Sequence, residues 1–214
     1  MRVGILGSGD VGRALGNGFL ALGHEVRMGA REAGNPRAAE WVLAAGERGS
    51  AGTFAAAAEF GDVVVLATAW SGTENALALA GPDNLAGKVV IDATNPLAPR
   101  PDGPPGLALG HTDSGGEQVQ RWLPGARVVK AFNIVGNPHM FRPDFPGGPP
   151  DMFICGNDES AKVVVTEILT AFGWPVTDIG GIEGARLLEP LCILWVTYGV
   201  RAGSFNRAFK VLRR

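Results

Sequence analysis

Three glycines near the N-terminus have the spacing of a dinucleotide-binding loop. Gly7, Gly9 and Gly12 form a G-x-G-x-x-G motif that follows a β-rich run and opens a helical pattern. In this context the first glycine permits a tight turn, the second lets the backbone approach a pyrophosphate, and the third allows a helix to pack on a strand. Free N–H groups at the helix start then hold the phosphates. We therefore expect a dinucleotide to bind at Gly7, Ser8, Gly9, Asp10, Val11 and Gly12.

The residues after the second predicted strand select the nucleotide. An NAD site usually places Asp or Glu there to bind the ribose 2′-hydroxyl. This chain instead has Gly29 and Ala30, followed by Arg31. A guanidinium can donate two hydrogen bonds to a 2′-phosphate, and Asn35 can add another. Glu32 argues mildly the other way, but the pattern favours NADP(H).

Two later strand ends carry further candidates. Ala69 and Trp70 follow the fourth strand, where Trp70 can pack on the ribose or the nicotinamide or belong to the core. Asn95, followed by Pro96, can position the nicotinamide amide or a substrate carbonyl, or simply form a turn.

Acid–base and metal chemistry have little support in the sequence. It shows no Ser/His/Asp triad, no zinc-binding spacing and no paired carboxylates, so we predict no metal. His24 is predicted to be structural, whereas His111 and His139 lie in or beside long loops where either can face a ligand. A hydride transfer between two bound cofactors fits this inventory, because it depends on orientation more than on side-chain chemistry.

Short β-rich runs alternate with helical stretches, which indicates βαβ units and a parallel sheet. We predict an α/β, Rossmann-type doubly wound fold with a mostly parallel sheet and a small helical C-terminal extension. Strands are expected at residues 2–6, 25–28, 63–67, 89–92, 127–131, 151–155 and 175–178, with a weak one near 50–53. Helices are expected at residues 11–22, from 36 onward, and at 55–60, 73–80, 116–122 and 160–172.

Two long loops and an apolar helix complete the chain. The stretches 95–112 and 136–150 are rich in Pro and Gly and follow strands, so both are predicted at the ligand-binding carboxyl edge of the sheet. A strongly apolar helix is expected from about Glu183 toward Phe209, either deep in the fold or at a subunit interface, and we favour a homodimer. We divide the chain into an NADP-binding domain with extra strands, residues 1–181, and a helical segment packed on it, residues 182–214.

The charge, the apolar segments and the cysteines of the chain limit the kinds of partner and the cell compartment that we expect. Lys and Arg total 19 against 21 Asp and Glu, a net charge of −2, which gives no reason to expect nucleic acid. The apolar N-terminal run is too short for a signal peptide, and no stretch reaches the length of a membrane span. Cys155 and Cys192 lack metal-ligand spacing and are expected as buried, reduced thiols. We predict a cytoplasmic protein that binds neither nucleic acid nor membrane.

Taken together, these residues resemble the coenzyme F420-dependent NADP oxidoreductases, a family whose fold also forms the cytosolic domain of the six-transmembrane metalloreductases. The resemblance runs nearly end to end. It rests on the glycine loop, the Arg31 region and residues 22–25, 68–70, 92–96, 123–133, 155–158 and 186–189.

The resemblance implies roles for particular residues. Gly9, Asp10 and Val11 would hold the pyrophosphate, while Ala30, Arg31 and Asn35 would surround the 2′-phosphate. The stretch 133–137 would lie beside the nicotinamide and under a deazaflavin, which makes Asn133, Val135 and Gly136 proximal to the acceptor. The chain departs from the archaeal enzymes there, since they have His in place of Asn133 and Pro in place of Gly136, and their glycine loop is one residue longer.

The function expected from this resemblance is an NADP-dependent oxidoreductase that transfers hydride between NADPH and F420. FMN, FAD, or a small carbonyl or imine are alternative acceptors, although imine-reducing relatives usually add a long helical domain and only a short segment follows Gly181 here. A non-catalytic NADP(H)-binding sensor or scaffold is the alternative from another class.

Overall fold

The computed structural model describes residues 1–212. Its strands are β1 (Arg2–Leu6), β2 (Glu25–Ala30), β3 (Gly49–Thr53), β4 (Val63–Leu66), β5 (Val89–Asp92), β6 (Leu97–Ala98), β7 (Gly106–Leu107), β8 (Arg127–Lys130), β9 (Met152–Gly156) and β10 (Val176–Asp178). The helices are α1 (Asp10–Ala21), α2 (Pro36–Ala45), α3 (Phe54–Phe60), α4 (Thr73–Ala80), α5 (Pro82–Leu85), α6 (Gly115–Trp122), α7 (Glu159–Ala171) and α8 (Ala185–Ala202).

Eight of the strands form one sheet in the order β10-β9-β8-β5-β4-β1-β2-β3. Six neighbouring strands run parallel, namely β8, β5, β4, β1, β2 and β3. Strand β9 pairs antiparallel to β8 and parallel to β10. The strand order reverses between β1 and β4, and open α/β sheets bind ligands at the carboxyl edge of such a switch point. The predicted doubly wound, mostly parallel fold is confirmed.

Helices cover both faces of this sheet because its central strands are apolar on both sides. In β1, Ile5 packs into one buried cluster together with Leu15 of α1, while the adjacent Leu6 packs into the other together with Leu77 of α4. Four of the helices begin at a side chain that accepts a hydrogen bond from the first turn, namely Asn35, Thr53, Ser114 and Asp158. In residues 1–212, no helix combines the length and the hydropathy needed to cross a membrane.

Both predicted long loops leave the carboxyl edge of the sheet, after β5 and after β8. The first contains a short antiparallel pair, β6 with β7, that the sequence did not predict. The second returns to the same edge because β9 runs antiparallel to β8. The two loops therefore lie at the end of the sheet where the glycine loop lies.

The prediction that the last helix continues toward Phe209 is wrong. Helix α8 ends at Ala202, and Gly203 follows it with a φ of 63°, in the left-handed region. The following tail, residues 203–212, folds back along the sheet, since the N–H of Asp151 donates to the carbonyl of Phe209 and the N–H of Val211 donates to the carboxylate of Asp151, both over 2.9 Å. The backbone of the tail thus forms hydrogen bonds with Asp151 instead of continuing the hydrogen-bond pattern of α8. The last two residues of the predicted segment 182–214 lie outside the described residues.

Candidate functional site

The glycine loop connects β1 to α1 in a conformation that requires its first and third glycines. Gly7 has a φ of 127°, and a Cβ there would lie 2.4 Å from the carbonyl oxygen of Ala67. A Cβ at Gly12 would lie 1.9 Å from the carbonyl oxygen of Gly7. Gly9 differs, because a Cβ there would meet no atom within 4 Å. The first and third glycines therefore permit packing, and the second leaves open space.

That open space lies at the positive end of α1. Gly9 is the N-cap of α1, and no side chain caps the helix. Asp10, the acidic residue of the first turn, is exposed and forms an ion pair with Arg37 at 2.5 Å. Uncapped N–H groups and the helix dipole favour an anion at such a position, so the residues present fit the pyrophosphate of a dinucleotide.

The turn between β2 and α2 is bound to the glycine loop. The Ser8 hydroxyl donates to Oδ1 of Asn35 over 3.1 Å, and the same oxygen accepts from the N–H of Ala38. Ala30 is buried at the end of β2, whereas Arg31 is exposed and has no hydrogen bond or ion pair within residues 1–212. An unpaired guanidinium thus stands beside the glycine loop, where a 2′-phosphate would have to be recognised.

A cavity of about 330 Å³ opens over the glycine loop. It is lined by Gly9, Asp10, Val11, Ala67, Thr68, Ala69, Ala93 and Asn137. These residues come from the start of α1, from the segments that directly follow β4 and β5, and from the loop after β8. The cavity therefore spans the switch point of the sheet.

A second cavity, of about 550 Å³, has an aromatic lining and lies between the loop after β8 and the C-terminal tail. It is lined by Gly136, Asn137, Pro138, His139, Trp195, Ser204, Phe205 and Asn206. The rings of Trp195 and Phe205 lie 5.2 Å apart, and Nε1 of Trp195 donates to the carbonyl of Arg207 over 2.9 Å. Asn137 lines both cavities, so the two are neighbours.

Three buried charged residues meet where β5 and β8 end. Lys130, the last residue of β8, places its Nζ 2.9 Å from Asp92 and 3.0 Å from Glu189. Burial by itself would lower the pKa of Lys130, but the attraction of the two carboxylates outweighs burial and raises that pKa above its usual value. Lys130 therefore remains charged.

Asn95 and Asn133 are also brought together. Asn95 donates to the carbonyl of Asn133 over 2.8 Å, and Nδ2 of Asn133 donates to the side chain of Asn95 and to the carbonyl of Leu188. These partners fix which end of the Asn133 amide is nitrogen. Its buried Oδ1 accepts no hydrogen bond from any of residues 1–212. That atom requires a donor from water or from a ligand.

Comparison with known proteins gives a consistent answer. A family model described as NADP oxidoreductase, coenzyme F420-dependent, matches residues 2–96. The F420-dependent NADP reductase of Methanocaldococcus jannaschii is 31% identical over 157 residues, covering 72% of this chain and 70% of that protein. The chain belongs to the coenzyme F420-dependent NADP oxidoreductase family.

Other members and neighbours of this F420-dependent family extend the match. A crystal structure of a candidate F420-dependent NADP reductase from Arthrobacter sp. FB24 superimposes with a TM-score of 0.92 at 36% identity and covers 99% of both chains. The metalloreductase STEAP3 of Rattus norvegicus is 30% identical over 203 residues, which cover 89% of this chain. The chain spans only 36% of the length of that rat protein.

Not every predicted site residue of this F420-family member reaches a cavity. Ala69 lines the one over the glycine loop, but the Trp70 indole stacks on Trp122 at 5.6 Å and lines neither cavity. Pro96 packs near Gly115 of α6, and Val135 is buried. The structure thus brings Ala69 and Gly136 to the cavities and leaves Trp70, Pro96 and Val135 in packing positions.

The sequence did not single out several residues that the fold brings to the site of this oxidoreductase. Arg37 reaches Asp10 from the first turn of α2, and Trp195 and Phe205 arrive from the C-terminal helix and tail. Asn137 is the last residue of the stretch 133–137, which the resemblance placed beside the nicotinamide, so the sequence did indicate its position. The sequence contains no such indication for Trp195 and Phe205, because their position in the cavity depends on where the tail turns back.

Proposed function

We propose that this protein is an NADP(H)-dependent reductase that transfers hydride between reduced nicotinamide and a deazaflavin of the F420 type. One observation carries the proposal, namely that the cavity over the glycine loop and the aromatic cavity share Asn137. Direct transfer requires two planar rings in contact, and two neighbouring cavities provide for that. The names of the family and of its archaeal relatives support the same pair of substrates.

The nucleotide side of the site is assigned by charge. The open N-terminus of α1, at Gly9, Asp10 and Val11, would hold the pyrophosphate. Arg31 would bind the 2′-phosphate, because its exposed guanidinium is unpaired within residues 1–212. Asn35, held by Ser8, would orient the same end of the nucleotide.

The acceptor side is assigned by shape and polarity. Trp195, Phe205 and Pro138 provide flat apolar surfaces in the second cavity, which suit a planar aromatic ring. His139 lines the same cavity and contacts the ring of Phe145 at 4.8 Å. Asn133 is buried and lines neither cavity, so it would act by holding the loop that carries Gly136 and Asn137.

When both rings are bound, reduced nicotinamide supplies two electrons as a hydride, and the acceptor takes the hydride together with one proton from solvent. The chain would contribute orientation. The loops after β5 and β8 would align the rings, and the tail would exclude water from the aromatic cavity.

The decisive experiment mixes the purified protein with NADPH and F420, and separately with FMN, and follows the loss of nicotinamide absorbance. We expect turnover with F420. Phe205→Ala should raise KM for the acceptor while leaving the Kd for NADPH unchanged, and Phe60→Ala, at the end of α3 and outside both cavities, is the matched control.

Other outcomes of this assay would replace the proposal. Turnover with FMN alone would reassign the acceptor to a flavin, and turnover only with a cyclic imine or a carbonyl compound would make the protein a small-substrate reductase. Tight NADPH binding without turnover on any acceptor would favour the sensor.

We also propose a homodimer. Leu187, Leu194 and Tyr198 share one face of α8 and are each more than half exposed, and an apolar helical face of this kind is covered in many dimers. A monomeric mass in analytical ultracentrifugation at micromolar concentration would contradict it. The cytoplasmic location stays a prediction.

A further inference from the structure

Three charged side chains meet in the interior beside the candidate site. Asp92 ends β5, Lys130 ends β8, and Glu189 lies in α8; their side chains are at most 1% exposed. One lysine faces two carboxylates. The second carboxylate is balanced by backbone, because the N–H groups of Gly115 and Gly116 at the start of α6 donate to Glu189 over 2.9 Å each.

The remaining hydrogen bonds of this group are directed at the loop after β5. Lys130 donates to the carbonyl of Thr94 over 2.8 Å. Oδ1 of Asp92 accepts from both the N–H and the hydroxyl of Thr94, over 2.9 and 2.7 Å. Thr94 lies between Ala93, which lines the cavity over the glycine loop, and Asn95, which binds Asn133.

The loop after β8 is held from the same side. Phe132 is buried with a φ of 63°, a strained conformation for a bulky residue that persists only when its surroundings enforce it. Asn133, the next residue, donates to the carbonyl of Leu188, which directly precedes Glu189 in α8. This loop then runs to Asn137, where the two cavities meet.

Stability alone does not account for this arrangement. Replacing buried ion-paired side chains by apolar ones is often neutral or stabilising. Apolar packing would therefore suffice to hold the ends of β5 and β8 together. The ions instead connect α8 and α6 to the two loops that face the ligands. Their location at the carboxyl edge indicates a role in geometry.

We propose that Glu189 is a positioning residue for hydride transfer, which acts through Lys130 and Thr94 to hold the loops after β5 and β8 in one arrangement relative to α8. This inference rests on the proposed function. It predicts an effect on the transfer step, since displacement of reacting groups by about 1 Å can slow a reaction about 100-fold. Binding of the nucleotide at α1 should be unaffected.

The test uses Glu189→Gln, with Glu167→Gln on the exposed face of α7 as the matched control. We expect the Kd for NADPH to stay within about twofold, and kcat with F420 to fall by about 10- to 100-fold. The kinetic isotope effect on kcat with NADPH deuterated at nicotinamide C4 should increase, because the hydride step becomes slower. Lower stability alone would reduce the amount of active protein without changing the isotope effect.

Thr94→Val provides a second variant in case Glu189→Gln does not fold. It removes only the hydroxyl bond to Asp92, and we expect a smaller fall in kcat together with a larger isotope effect. If the wild type turns over and the folded variants keep its kcat and its isotope effect, the positioning role alone is overturned. No turnover by the wild-type protein would overturn the proposed function as well.

Discussion

Asn95 and Asn133 bind each other across the carboxyl ends of two neighbouring strands, β5 and β8. Each donates from its side-chain amide to the other, over 2.8 Å and 3.0 Å, and Asn133 donates in addition to the carbonyl of Leu188 in α8. The pair therefore connects the last helix to both loops, which border the two cavities. Asn133 contributes more of these bonds and is the more deeply buried of the two.

This difference predicts unequal effects of the same substitution. Asn133→Asp removes both side-chain donations and places a carboxylate against two oxygens, so we expect the free energy of unfolding to fall by about 2–4 kcal/mol. Asn95→Asp removes one donation and keeps its acceptor, and we expect a loss of about 1 kcal/mol. Urea denaturation measures both. Equal losses in the two variants would show that the pair is not asymmetric as described.

The glycine loop predicts a separation of binding from stability. Gly9→Ala places a methyl group in open space where a pyrophosphate would approach. We expect stability within about 1 kcal/mol of the wild type, since alanine is a poorer N-cap than glycine, and NADPH affinity lower by about tenfold or more. Gly12→Ala would drive a Cβ against the Gly7 carbonyl and should cost about 1–3 kcal/mol of stability. Calorimetric titration and thermal unfolding distinguish the two, and unchanged NADPH affinity in folded Gly9→Ala would argue against the loop as the phosphate site.

Arg31 should discriminate between the two nicotinamide dinucleotides. Arg31→Ala removes charged hydrogen bonds to the 2′-phosphate, and bonds of this kind contribute about 1.5–3 kcal/mol. We expect the Kd for NADPH to rise by about 10- to 100-fold, and the Kd for NADH to change by less than about twofold because NADH lacks that phosphate. The control is Arg48→Ala, because Arg48 is an exposed arginine that directly precedes β3, at the amino ends of the strands and away from the glycine loop. A similar loss of affinity for both nucleotides would contradict the assignment.

The two buried cysteines predict a loss of stability in alkaline solution. Burial raises the pKa of the Cys155 thiol to about 12 and that of the Cys192 thiol to about 11, from an ordinary thiol value of 9.0. Between these values the unfolded chain releases protons that the folded chain retains, so the free energy of unfolding falls as pH rises above about 9. Each thiol contributes up to about 1.4 kcal/mol per pH unit there.

Cys155→Ala tests this directly. The difference in unfolding free energy between the wild type and Cys155→Ala should be constant from pH 6 to about 8 and shrink by about 1 kcal/mol by about pH 10. A difference independent of pH up to about 10 would mean that the thiol titrates normally in the folded state. A thiol reagent at neutral pH should label neither cysteine until the protein unfolds, since both are buried.

The fold was largely predictable because its signals are local. The apolar run in β4 and the Asn-Pro start of α2 each depend on a few adjacent residues, and the observed elements agree within one or two positions. The antiparallel direction of β9 and the turn of the tail after Gly203 were not predictable, since both depend on pairing between residues distant in the sequence.

By itself, the sequence determined the glycine loop, the glycine and alanine that stand in place of an acid at the end of β2, and the family, since backbone conformation and charge at such positions depend on residue type alone. Only the tertiary structure decided that Asp92, Lys130 and Glu189 meet in the interior and that Asn137 borders two cavities. A lysine or an asparagine carries no local sign of its partners when they lie about 40 or more residues away. Burial and proximity are properties of the packed chain, and they arise when the strands and helices come together.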